Sequence, residues 1–98
     1  MRTVFFLSKE NGKRAEEILK KDDLTSRGSI ALRESKTLGI EKEGYFLFFD
    51  GDEEMVKRAR ELLASLVEEI ENAVMKEAEE KFEKENERAL EGFGGIFG

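Results

Sequence analysis

The chain contains no cysteine, histidine, proline, tryptophan or glutamine. Without cysteine there is no disulfide framework and no thiolate nucleophile. Without histidine the commonest general base and the commonest metal-ligating side chain are both missing. No stretch reaches the ~20 apolar residues of a membrane span. The first residues, Met1 to Ser8, carry one positive charge and an apolar run too short for a signal peptide. A cytoplasmic location with no membrane segment is therefore expected.

What the chain has in abundance is charge. Charged residues make up 41% of its 98 positions, almost all of them Glu, Lys and Arg, the ion-pair-rich profile expected of a thermophile. The length is that of one domain with a thin stability margin, which a second copy or a partner would widen. Residues 1–52 hold 10 acids and 10 bases, whereas residues 53–98 hold 13 acids and 7 bases. The whole negative excess thus sits in the second half. An acidic surface repels phosphate and argues against nucleic acid, but it suits steering toward a basic protein surface.

Hydrophobic spacing predicts three strands. Val4–Leu7 is apolar on both faces and reads as central. Ser29–Ser35 alternates, with Ile30 and Leu32 on one side, and Tyr45–Phe49 is again apolar on both faces. A first helix over Lys13–Lys21 carries Ala15, Ile18 and Leu19 on one side and ends on Lys20 and Lys21, as its dipole prefers. Asp50 or Asp52 caps a second helix, with Glu53 and Glu54 in its first turn. Helical spacing then continues without Pro or Gly from Glu53 to Glu91. Unbroken, that helix would span roughly 58 Å at about 1.5 Å per residue, against a radius of gyration of about 13 Å for a compact chain of this length. It must bend back near Asn72 or project. The order is a β-α-β-β-α two-layer α+β sandwich on a three-stranded, mainly antiparallel sheet. Residues 1–75 form the domain, 76–91 an acidic helical extension, and 92–98 a Gly/Phe-rich tail. Two helices cover one sheet face. A homodimer is expected through the other face, which carries Phe46 and Phe48, through the long helix, or through both.

Candidate chemistry is sparse. Asp50, Asp52 and Glu53 could offer oxygen ligands to a hard cation, but the further ligands of a calcium loop are missing, and a helix cap accounts for the same residues. Asn11-Gly12-Lys13-Arg14 opens a helix after a strand, yet lacks the spaced glycine and the Ser/Thr of a phosphate loop. Ser8, Ser26, Ser29 and Ser35 have no histidine to activate them. No catalytic residue, metal or cofactor is implied, and the chain is expected not to be an enzyme.

The segment from Tyr45 to Leu63, a strand, a Gly, an acidic cap and an Ala/Leu-spaced helix, resembles the closing strand and helix of KH RNA-binding domains. That family's Gly-x-x-Gly loop between two helices is absent here. A nucleic-acid-binding role would follow from this resemblance alone.

The last ten residues, Ala89-Leu90-Glu91-Gly92-Phe93-Gly94-Gly95-Ile96-Phe97-Gly98, follow an acidic stretch from Glu77 to Arg88. Chain ends are normally polar, so this run of apolar residues calls for a use. Gly92, Gly94 and Gly95 are expected to end the long helix. Leu90, Phe93, Ile96 and Phe97 would share one face of a short induced helix, the form of a ligand laid in a groove. This ending resembles the C-terminus of the archaeal ribosomal stalk family: an acidic run, Ala-Leu, a Gly, an apolar residue, a small pair, an apolar residue and a final Phe-Gly. It departs in having Phe93 where the family usually has Leu and Gly95 where Ala is common, and residues 1–75 do not resemble the family's ribosome-anchoring domain. The resemblance implies a tail that recruits translational GTPases, with Leu90, Phe93, Ile96 and Phe97 as anchors, Gly98 as the matching end and the acidic run facing a basic rim. The alternative is a dimeric structural domain whose tail docks on its own apolar sheet face.

Overall fold

A computed structural model describes the backbone of residues 1–97 and the side chains of residues 1–87. The three apolar runs become strands β1 (Arg2–Leu7), β2 (Ser29–Glu34) and β3 (Tyr45–Asp50), and the helices are α1 (Gly12–Lys21), α2 (Glu53–Leu63) and α3 (Asn72–Phe97). The class is α+β, and both strand pairings are antiparallel. The strand order is β1-β3-β2, so β3 is the central strand and β1, expected in the middle, lies at an edge.

β1 is apolar on both faces because both faces of the sheet are covered. On one face Phe5, Leu7, Leu47 and Phe49 pack with Ala15 and Leu19 of α1 and with Val56, Ala59 and Leu63 of α2. On the other, Phe6, Phe46 and Phe48 pack with Ala78 and Phe82 of α3 and with Leu38 and Ile40 from the loop after β2. α3 therefore adds a third layer to the expected two. The homodimer face expected at Phe46 and Phe48 is closed within the chain: the two residues are 0% and 1% exposed. Ala78 and Phe82, in the stretch 76–91 expected to extend beyond the domain, belong to this second core.

The long helix breaks between Leu63 and Asn72. Nothing local forces the break, since the stretch has neither Pro nor Gly. The cause is tertiary, because the apolar stripe of the first half seats on one sheet face and that of the second half on the other. The linker rounds the outer edge of β1, where Leu7 and Val67 form an antiparallel bridge and the Glu68 amide donates to the Phe6 carbonyl at 2.9 Å. This contact also shields one end of an otherwise open strand.

α2 starts as expected: the Asp52 carboxylate accepts from the Met55 amide at 2.9 Å, with Glu53 and Glu54 in the first turn. Asp22, just after α1, ties the two helices of that face together. Its Oδ2 accepts from the Leu24 and Thr25 amides at 3.1 Å each, and its Oδ1 accepts from Arg58 Nη2 at 3.0 Å. The Arg58 hydrogen bond first, then the Thr25 amide, hold the Asp22 carboxyl below its ordinary value. A depressed folded pKa stabilises above the unfolded value of about 3.9, and the effect is lost as pH falls through the folded value. The Tm gap between the wild type and Asp22→Asn should thus be fully present above the unfolded value of about 3.9 and narrow as pH falls below it. A gap that stays constant across a thermal-melt series over this range would mean that the carboxylate charge contributes nothing.

Candidate functional site

The most elaborate side-chain assembly lies where α3 meets the sheet. The Phe82 ring stacks on Phe48 with centroids 4.1 Å apart and planes 4° from parallel. The guanidinium groups of Arg2 and Arg33 flank it at 5.2 and 5.4 Å from the ring centroid. Register explains the convergence: Arg2 lies opposite Asp50 and Arg33 opposite Phe46, on the face that carries Phe48. The same arginines reach the helix. Arg2 Nη1 donates to Glu83 at 3.0 Å, and Arg33 Nε donates to Glu85 at 3.3 Å. This is a clasp made of one aromatic anchor inside a ring of ion pairs. Sequence reasoning missed it because Phe82 stands alone in a charged run. No local signal marked it, since only the strand register puts Arg2 and Arg33 on the face of Phe46 and Phe48.

The expected cation ligands do not converge. Asp50 accepts from Arg2 Nε through both oxygens at 3.1 Å, Asp52 caps α2, and Glu53 is exposed. Among the described residues no group of three or more metal-ligating side chains is assembled. The turn before α1 is self-satisfied, with the Asn11 and Gly12 amides both donating to the Ser8 carbonyl at 3.1 Å. Gly12 is buried against the Tyr45 ring, which leaves no room for a Cβ there. Ser35 is buried and donates to the Gly44 carbonyl at 3.0 Å, a structural role. A shallow recess of about 440 Å³ opens between the turn at Thr37–Gly39 and α3, lined by Lys81, Lys84 and Glu85. Among the described residues no buried side-chain polar atom lacks a hydrogen-bond partner.

The other expected site is the tail. α3 has 26 residues, about 39 Å at 1.5 Å per residue, and the molecule's longest dimension is 45 Å. Its described anchors, Val74, Met75, Ala78 and Phe82, fall in the first three turns, and Glu83–Glu87 are all exposed. The helix does not stop at Gly92, as expected, but continues to Phe97. The side chains of Leu90, Phe93, Ile96 and Phe97, and the whole of Gly98, lie outside the described residues.

Among the described residues the only large exposed hydrophobics are Met1 and Val67, and no helix is long and apolar enough to cross a membrane. No family model matches the chain, and no curated protein or solved structure matches it either.

Proposed function

We propose that the chain is a non-enzymatic protein-interaction domain that binds its partner through Leu90, Phe93, Ile96 and Phe97. The observation that carries this reading is the closed surface of the body. Both sheet faces are filled by the chain's own helices, and the described surface keeps only Met1 and Val67 as large exposed hydrophobics. Meanwhile the sequence continues past Phe82, the last described anchor, into four large apolar residues. The stack of Phe82 on Phe48 speaks against self-docking of the tail there. The resemblance of the last ten residues to the stalk family then makes a translational GTPase the partner of choice. Apolar anchors would fill a groove, and the acidic run would steer toward a basic rim. The nucleic-acid alternative is disfavoured by the pairing of Arg2, Arg33 and Arg58 with carboxylates.

The test is fluorescence anisotropy of the labelled full chain titrated with an archaeal elongation-factor GTPase. Binding of micromolar order is expected, falling about tenfold or more in Phe97→Ala, as truncation of an interface anchor does. It should also weaken as salt rises. Absence of binding by the wild type, or equal binding by Phe97→Ala, would remove the tail from this role.

A further inference from the structure

The two edges of the sheet are treated differently. The outer edge of β1 is partly covered by the linker at Val67 and Glu68. The outer edge of β2 is not. In β2 the odd-numbered residues face β3, as the bond from the Ser35 amide to the Gly44 carbonyl at the end of the ladder shows, so the backbone groups of Ile30, Leu32 and Glu34 point outward. Among the described residues no backbone group bonds the amides of Ile30 and Leu32 from that side. Edge strands are commonly blunted by charged side chains, proline, a bulge or an inward-pointing charge, and on β2 the charges are confined to Arg33 and Glu34 at its end. β2 has no proline and pairs with β3 in unbroken register from Ser29 to Glu34. Its outward-bonding residues Ile30 and Leu32 are apolar and pack partly on the first core.

From this edge we infer that two copies of the chain associate through β2, antiparallel about a two-fold axis at Ala31, joining their sheets into one of six strands. The occupant is a second copy because the strand is self-complementary in that register. A two-fold axis perpendicular to the sheet pairs residues of equal parity, so the sheet faces match. Ile30 then lies opposite Leu32 of the other copy, and the two pairs exchange about four N–H···O=C bonds. The Leu32 carbonyl already accepts from Arg33 Nη1 and has a second lone pair free. Ala31 meets Ala31, Ser29 meets Arg33, and Glu34 meets Gly28, so no like charges face each other. Sliding the register to centre on Leu32 would set Ile30 against Glu34 and lose this fit. The inference is independent of the tail, since none of these residues belongs to α3.

The chain has no cysteine, so Ala31→Cys introduces a single thiol. In a non-hydrogen-bonded antiparallel pair the Cα atoms stand about 4.5 Å apart, inside the range a disulfide spans. On oxidation, Ala31→Cys should form covalent dimers at least about tenfold faster than Ser26→Cys, an exposed control outside the strand. Sedimentation equilibrium of the wild type should show a concentration-dependent doubling of mass. The Ile30 and Leu32 amides should exchange about tenfold more slowly in the dimer, a readout that needs no variant. A wild type that stays monomeric at millimolar concentration overturns the inference and leaves the edge to an extended peptide of another protein. A dimer whose Ile30 and Leu32 amides exchange as in the monomer, or whose Ala31→Cys thiol links no faster than that of Ser26→Cys, overturns it in favour of another surface.

Discussion

Replacing Phe82 with alanine should lower the unfolding free energy by about 3–5 kcal/mol, the range for truncating a buried aromatic. Phe82 is only 5% exposed, and its stack on Phe48 and two arginine neighbours add to the burial term. A domain of this size has about 5–15 kcal/mol in all, so the loss is a large share of the total. α3 should leave the sheet first, baring Phe6, Phe46 and Phe48. Urea unfolding gives the magnitude. Amide exchange gives the order of events, with Val74–Phe82 losing protection before β3. Glu83→Gln and Glu85→Gln are the controls. These carboxylates are 63% and 50% exposed, and exposed ion pairs contribute about 0–1 kcal/mol. If the glutamine variants cost as much as Phe82→Ala, the clasp is ionic and the apolar account of α3 fails.

The contrast between anchor and rim also bears on how an acidic helix can lie on this body. Glu83 and Glu85 would be repelled by an acidic surface, yet they meet Arg2 and Arg33. These pairs mainly fix which way round α3 lies, while Phe82, Ala78 and their neighbours supply the free energy. The two arginines stand on the outer strands, on opposite sides of Phe48. The helix is thus centred over the middle strand.

Much of the fold is legible in the chain because the strands and the first two helices declare themselves locally. Tyr45–Phe49 reads as a strand and becomes the centre of the sheet, and Asp52 reads as a cap and is one. The position of β1 is not legible. Phe5 and Phe6 are buried on opposite faces, and a strand covered on both faces has the same pattern at an edge as in the middle. Helix length alone makes a bend near Asn72 one of two outcomes, but the break after Leu63 itself is hidden, since Ala64 to Glu71 contains good helix formers and no punctuation. Only the fact that a single helix cannot cover both faces of one sheet decides it. For the candidate site, a lone Phe82 among charges looks like surface. Its partners Arg2 and Arg33 are distant in sequence, and strand register alone brings them together.

Gly44→Ala should be nearly as damaging, for backbone reasons. Gly44 sits at φ +146°, where side-chain-bearing residues rarely go, at a strain of about 1–3 kcal/mol. An added Cβ would also stand 2.5 Å from the Leu7 carbonyl oxygen and 2.9 Å from the tip of the Phe6 ring. Neither can yield cheaply. Leu7 is paired with Tyr45 and bridged to Val67, and Phe6 packs against Phe46 with ring centroids 5.1 Å apart. Overpacking of this kind costs a further 1–3 kcal/mol or so, giving about 2–6 kcal/mol in all. The Gly44 carbonyl also accepts from the Ser35 amide at 2.9 Å and the Ser35 hydroxyl at 3.0 Å, so displacing it would disturb a buried pair. Gly39→Ala isolates the conformational part. Gly39 is left-handed at φ +70°, but its nearest obstacle is the flexible end of Lys81 at 3.1 Å, so about 1–2 kcal/mol is expected. Urea midpoints for the two variants, at unchanged slope, should differ in that sense. If Gly44→Ala is no worse than Gly39→Ala, the close approach of β1 to the Gly44 turn is not a constraint on the fold, and the linker across Phe6 and Leu7 must hold that edge by itself.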